Sequence, residues 1–301
     1  MKIAVTGANS SVGRNLLAHV ADNTDISVIA GVRSESAAAS LPTSPQITAR
    51  IISYDDVGEL AKTIEGASCI VHLAGILMES RASTYTTANV AVTAAVVAAS
   101  QKAGVQHIVF VSVLGASLDS PNRYFRSKGE AERAVADSGI SSTILRTPIL
   151  LGPGTAGAAA LVATATRGKA RLLGGGRSIV RPLDVDDLSR VILRICKTRP
   201  EGVSILELVG PESIPYRELL KRVASMMGNP LSTGTLPLWM AKLGTAFTSR
   251  VNGGGISPTV IGVITTDEVV QKNADTELGI SLTPLSTTLE KILSEKKQEQ
   301  E

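Results

Sequence analysis

The sequence predicts an α/β protein: a doubly wound parallel sheet followed by a small C-terminal α+β cap. Three observations carry this. Strand-like and helix-like segments alternate through the first 150 or so residues. The strand segments are continuous apolar runs, as expected of strands covered on both faces. The first strand turns into the first helix through the glycines of TGANSSVG, residues 6–13.

In chain order, Lys2–Thr6 is a short β-branched run that ends at Gly7, and Val12–Val20 has helical spacing. Ile26–Val32 and Ile47–Ser53 are the second and third strand runs, and a helix is predicted from Val57 to Ile64. Cys69–Leu73 is the fourth strand, followed by a long Ala/Val helix over Thr87–Lys102. His107–Val111, a helix over Phe125–Ala136 and a strand over Ser142–Leu145 complete the pattern. Right-handed crossovers between such strands give a doubly wound sheet. Ligands of such sheets bind beyond the carboxyl ends of the strands, where the connections change direction.

After Leu151 the rhythm changes. The expected division is a doubly wound core over 1–151 and a cap over 152–301, partly interleaved with the core. Gly152-Pro153-Gly154 breaks the chain, and Thr155–Arg167 reads as a helix. Gly174-Gly175-Gly176 is expected to turn between two short strands. Val185–Cys196 reads as a helix capped by Asp186-Asp187, Glu207–Gly210 as a short strand, and Pro215–Met227 as a helix with Leu219, Leu220 and Val223 on one stripe. Ser232–Thr266 is apolar and poorly periodic. Within it Trp239, Met240, Leu243 and Phe247 form a stripe after Pro237, with core, lid and contact surface as the alternatives. The tail after Leu293, SEKKQEQE, is expected to fray.

Composition narrows the function classes. The chain has 301 residues, 44% apolar and 19% charged, enough for a substantial core. Lys plus Arg is 30 against 27 for Asp plus Glu, a near balance that makes nucleic acid and anionic lipid minor readings. Aromatics are 3%, too few for stacking on bases. No apolar run reaches the ~20 residues of a spanning helix, and MKIAVTGA does not read as a signal peptide. Cys69 and Cys196 both lie in apolar runs, which speaks against a disulfide scaffold and for a reducing cytoplasm. His19, His72 and His107 have no metal-ligand spacing. Contact with a membrane or a partner protein is expected, if anywhere, through the cap; oligomerisation is left open.

The glycine string carries chemistry. A pyrophosphate needs free backbone N–H groups and close approach without Cβ atoms, and glycines between a strand and a helix supply both. Thr6, Gly7, Ser10, Ser11, Val12 and Gly13 are the candidates. The string resembles the T-G-x-x-G-x-x-G of the extended and atypical short-chain dehydrogenases/reductases, with Ser10 where the family has its middle glycine. Arg33 follows the second strand, 20 residues after Gly13. An acid near there would accept from the ribose hydroxyl of NAD, whereas an Arg favours the 2′-phosphate of NADP. NADP is therefore the expected cofactor, with NAD less favoured, and Arg14 is placed to assist.

The resemblance extends further. It implies that Ala74-Gly75, after the fourth strand, packs beside the adenine ribose, and that Pro148, after the sixth, lies along the nicotinamide. Tyr124-Phe125-Arg126-Ser127-Lys128 is Y-x-x-x-K, two side chains four residues apart on one helix face. A carbonyl reduction needs a proton donor for the developing alkoxide, and a phenol near an ammonium can serve. The resemblance gives Tyr124 the proton donation and Lys128 the lowering of its pKa and the holding of the ribose. The family's third hydroxyl falls to Ser112, with Ser117 the alternative, because Val113 and Leu114 occupy the positions many extended members use. Arg171, Arg177 and Arg181 around the triple glycine are either solvated or a grip for an anionic substrate.

YFRSKGEAE, RPLDVDDLSRVIL and GPESIPYRELL look most like the atypical branch, which includes proteins similar to the nucleotide-binding accessory subunit of respiratory complex I and others described only as epimerase-like. Three functions follow from the resemblance. The first is an NADPH-dependent oxidoreductase acting on a small carbonyl or quinone-like, apolar substrate. The second is a silent NAD(P)H-binding sensor or assembly module. The third is a nucleotide-sugar epimerase or dehydratase, ranked lower because only 12 residues separate Ser112 from Tyr124.

Overall fold

The computed structural model of the chain describes residues 1–22, 25–252 and 256–298. In order, the first part of the chain forms β1 (Lys2–Thr6), α1 (Ser11–Ala21), β2 (Ser27–Val32), α2 (Glu35–Ala39), β3 (Ile47–Ile51), α3 (Val57–Thr63) and β4 (Cys69–His72). A π-helical turn over Thr86–Ala91 runs into α4 (Val92–Lys102), followed by β5 (His107–Val113), α5 (Arg123–Ala136) and β6 (Ser141–Thr147). The second part adds β7 (Leu150–Leu151), α6 (Ala156–Thr166), β8 (Lys169–Leu173), β9 (Ile179–Val180), β10 (Leu183–Asp184), α7 (Val185–Thr198), β11 (Val203–Glu207) and β12 (Ile214–Pro215). It closes with α8 (Tyr216–Met226), β13 (Ser232–Leu236), α9 (Leu238–Asn252), α10 (Pro258–Ile264) and α11 (Leu285–Gln298).

The chain forms two compact units. The first comprises 1–77, 83–146 and 188–206; the second comprises 78–82, 147–187 and 207–301. The first unit is built on a seven-stranded sheet in the order β11-β6-β5-β4-β1-β2-β3. β1 pairs in parallel with both β2 and β4, which places the reversal of strand order beside β1. The expectation of a doubly wound sheet holds, and it gains a strand: Val203–Glu207, read as part of the cap, is the seventh member.

Ile70, Ile108, Phe110 and Ile144 from the strands, with Val96 and Leu60 from the flanking helices, are almost wholly buried in one core. Cys69 and Cys196 are buried, reduced thiols, Sγ to Sγ at 3.3 Å. Two histidines are buried in the sheet. His107 Nε2 lies 3.0 Å from Thr143 Oγ1. His72 stacks on Phe110 at 5.3 Å.

The second unit has its own core, with Leu151, Leu161, Leu172, Leu219, Leu220 and Leu289 at its centre. The triple glycine forms a 3-10 turn, but the strands around it are not a hairpin: β8 pairs with β13 and β9 with β12. The acid that caps α7 is Asp184, whose Oδ1 accepts from Asp186 N, not the Asp186-Asp187 pair. Asp187 instead accepts from Thr283, and Asp184 from Thr288 and Lys291 on α11. α11 continues beyond Leu293, where the sequence predicts fraying, to Gln298; residues 299–301 lie outside the described residues.

Burial holds both histidines neutral: His72 is pushed down to about 3 and His107 to about 4, with the Lys128 and Arg199 charges adding to the effect. The unfolded chain then binds more protons than the fold below pH ~6.5, so stability is fully present above that value and falls as acid is added. Urea titrations should show unfolding free energy dropping by up to about 1.4 kcal/mol per pH unit per histidine between roughly pH 6 and 4. The His107→Leu variant should show a shallower slope; an unchanged slope would remove His107 from this account.

Candidate active site

β1 ends at the buried Thr6 and the chain turns at Gly7, whose φ of 71° is left-handed. A Cβ on Gly7 would stand 2.9 Å from Ala74 N, and one on Gly13 would stand 2.4 Å from Ala8 O. Neither position accepts a side chain without moving backbone. Ser10, the departure from the family pattern, is the N-cap of α1: its Oγ accepts from Gly13 N at 3.0 Å. Ser11 and Val12 occupy the first helical turn, where N–H groups lack intrahelical acceptors and the helix dipole favours an anion. The turn sits at the strand-order reversal, with Ala74 and Gly75 following β4 beside it. A Cβ on Gly75 would lie 3.1 Å from Asn89 Oδ1.

Asn89 was not singled out in the sequence. It sits in the π-helical turn where a single helix is predicted, and it is buried. Its Oδ1 accepts from Ile76 N at 2.8 Å, and its Nδ2 donates to Ile76 O and to Ser127 Oγ at 3.0 Å. Ser127 in turn donates to Tyr124 O. On the other side Thr93 donates to Asn89 O at 2.6 Å, so Thr93 Oγ1 accepts from His72 Nε2. His72 Nδ1 is then the acceptor for the Thr6 hydroxyl at 2.6 Å. A hydrogen-bonded chain thus joins Thr6, at the end of the glycine turn's strand, to the helix that carries Tyr124. Burial raises the Tyr54 pKa, while Thr6 and the charge of Arg33 oppose that rise. Arg33 itself is exposed at the end of β2, just before Ser34, the cap of α2.

Asn122 caps α5 through the amides of Tyr124 and Phe125. Tyr124, Ser127 and Lys128 lie on the buried face of this helix. The Tyr124 ring lies 5.7 Å from Tyr85 and 5.8 Å from Phe125. Its phenol is pushed well up by burial and by Tyr85, so it stays protonated. Lys128 is 6% exposed; its Nζ donates to Val111 O at 3.1 Å and lies 4.2 Å from the Phe110 ring centre. Burial lowers its pKa to about 8, against a smaller opposite effect of Glu132. The lowering of the Tyr124 pKa expected of Lys128 is not a feature of this arrangement, because the ammonium is turned to the β5 carbonyl.

Ser112 lies inside β5, 2% exposed, and its Oγ donates to Glu132 Oε1 at 2.5 Å. Arg146 grips the same carboxylate through two nitrogens, with the shorter contact at 2.6 Å. Ser117 is exposed on the loop that presses against Gly129. Pro148 is buried in the second unit, between β6 and β7. Arg181 there donates to Gly210 O, and its own N–H is accepted by Glu268, while Arg171 and Arg177 are exposed.

Residues 7–193 match the family model described as NAD(P)H-binding. The chain belongs to this family. It is 26% identical over 271 residues to the ceramide reductase of Caulobacter vibrioides, covering 87% of this chain and 81% of that one. It is 28% identical to the mitochondrial NADH dehydrogenase [ubiquinone] 1 alpha subcomplex subunit 9 of Arabidopsis thaliana, covering 76% of this chain and 60% of that subunit. A solved structure of MoeE5 with UDP-glucuronic acid and NAD superposes with a TM-score of 0.78 at 20% identity, covering 99% of this chain and all of that one. The residues present fit a nicotinamide dinucleotide: Gly7 and Gly13 let the turn close against the backbone of Ala74 and Ala8, which sets the first turn of α1, whose dipole favours a diphosphate, at the end of β1.

Glu132 is a buried carboxylate satisfied by Arg146 and Ser112. Glu132→Ala removes the buried carboxylate that Arg146 and Ser112 share and should lower the unfolding free energy by about 3 kcal/mol in urea titration. A loss below ~1 kcal/mol would mean that water replaces the carboxylate at little cost.

Proposed function

We propose that the protein is an NADPH-dependent reductase of a carbonyl compound with apolar substituents. The observation that carries this reading is the pair Tyr124 and Lys128, a phenol and an ammonium four residues apart, both on the buried face of α5. A protonated donor is what a reduction requires. When bound, the reduced nicotinamide supplies a hydride. Tyr124 then gives its proton to the alkoxide oxygen. Lys128, with its lowered pKa, would leave the Val111 carbonyl to hold the ribose and the phenolate that results. The hydrogen-bonded chain through Asn89 and Ser127 orients the start of α5 toward the glycine turn. Similarity to a ceramide reductase supports an apolar substrate.

The preference for NADPH rests on Arg33, an exposed guanidinium where an NAD-specific domain has an acid, with Arg14 exposed on the neighbouring helix. A second reading, a silent NAD(P)H-binding module, is favoured by the commitment of Ser112 to Glu132 and by the similarity to a complex I subunit. The epimerase or dehydratase reading is compatible with the same fold.

Tyr124→Phe separates the first two readings. Turnover of NADPH with long-chain ketones should fall at least 10²-fold, with NADPH affinity by fluorescence within about twofold of the parent. Equal rates in parent and variant would overturn the reductase assignment. Arg33→Glu should weaken NADPH roughly 10- to 100-fold, on the strength of one hydrogen-bonded charge pair, and NADH much less. An unchanged ratio of the two affinities would remove Arg33 from cofactor selection.

A further inference from the structure

The second unit presents a helix whose orientation reverses the ordinary rule for amphipathic helices. On α9, Trp239 and Leu243 are each 65% exposed and Met240 is 48% exposed, whereas the small Ala241 is 8% exposed and faces the unit. Successive helical residues are about 100° apart. Trp239 and Leu243 therefore form one outward line, Lys242 flanks it, and Ala241 lies on the opposite side. Ile264, which ends the neighbouring α10, is also exposed. Phe247, the last member of the stripe read from the sequence, lies outside the residues whose side chains are described.

Charge is segregated in the same unit. Residues 147–183 contain five Lys or Arg and no Asp or Glu; residues 219–266 contain four and no acid, of which Lys221 and Arg222 pair with Glu218 and Glu212 outside the segment. The near balance of the whole chain hides this. β8 and β13, which come from these two segments, pair in parallel, and Lys169 and Arg171 on β8 are exposed. Leu238, at the start of α9, sits against the turn that follows β8, where a Cβ on Gly174 would lie 3.6 Å from its side chain. The nearest acid after α10, Asp267, accepts from Ile179 N, and its neighbour Glu268 accepts from two backbone amides.

We propose that this face docks on the surface of an anionic phospholipid bilayer. Trp239, Met240 and Leu243 would enter the interfacial region, and Lys242, Lys169 and Arg171 would meet the headgroups. No helix among the described residues is long and apolar enough to cross a membrane; the contact proposed is that of a helix lying in the interface. A second copy of the chain fits less well, because a two-fold interface sets the same cations against each other. The proposal does not depend on the reductase reading and holds equally for a silent binding module.

Trp239 is the only tryptophan, so tryptophan emission, excited selectively over tyrosine, reports this site alone. The full chain, without cofactor, should co-sediment with vesicles of phosphatidylglycerol and phosphatidylcholine, with a blue shift of the emission. Partition should weaken by about fivefold for each charge removed in Lys169→Gln and Arg171→Gln, and fall further with salt. Leu243→Ser, at an exposed position that leaves the fold intact by circular dichroism, should weaken it without changing its salt dependence. Absence of sedimentation, equal binding to pure phosphatidylcholine, or a parent dimer that Leu243→Ser converts to a monomer would each overturn the proposal. Loss of reductase activity with vesicle binding retained would bear on the proposed function and leave this surface standing.

Discussion

The site is organised around a steric constraint. The backbone that follows β1 approaches the end of β4 so closely that a single Cβ at Gly7 would meet the Ala74 amide at 2.9 Å, and one at Gly13 would meet the Ala8 carbonyl at 2.4 Å. That close approach brings the first turn of α1, with its unsatisfied amides and its dipole, to the point where the sheet changes direction. The rest of the site is assembled around that point. Parallel pairing of β1 with both β2 and β4 fixes the strands on either side. Ser10 secures the start of the helix by accepting the Gly13 amide.

From the same strand a buried polar chain runs outward. Thr6 donates to His72, His72 to Thr93, and Thr93 to the backbone of Asn89, whose side chain holds Ser127 beside Tyr124. Each donor has an acceptor, so the low dielectric strengthens the chain instead of penalising it. Burial keeps His72 neutral, the state that the arrangement of one donor and one acceptor requires. The glycine turn and the helix of Tyr124 are thereby coupled through bonds that a shift of either would break.

Much of the fold and part of the site were legible in the sequence. The strands announced themselves as apolar runs, and the boundaries of β1, α6 and α8 fell within a residue or so of expectation. Gly7 and Gly13 were legible because their chemistry depends on lacking a side chain, and that is a property of residue type. Asn89 was not, because a buried asparagine within an Ala/Val helix has no periodic signature and its partners, Ile76 and Ser127, are 13 and 38 residues away. The turning of Ser112 to Glu132 and of Lys128 to Val111 was equally hidden, since both depend on how α5 rests on β5. β11 escaped assignment to the sheet because a short strand after a long excursion resembles a local element. The exposed face of α9 was readable as an apolar stripe, but the side it turns to solvent is set by Ala241, whose burial only the packed unit defines.

The central claim is that the turn from Thr6 to Gly13 receives the diphosphate of a nicotinamide dinucleotide. Isothermal calorimetry of the chain with NADPH and with NADH, beside a Gly7→Val variant checked for folding, tests it directly. The account predicts one site per chain in the parent, with a dissociation constant of roughly micromolar order, and its loss in the folded variant. Heat of binding that is absent in the parent, or unchanged by the valine, would contradict it.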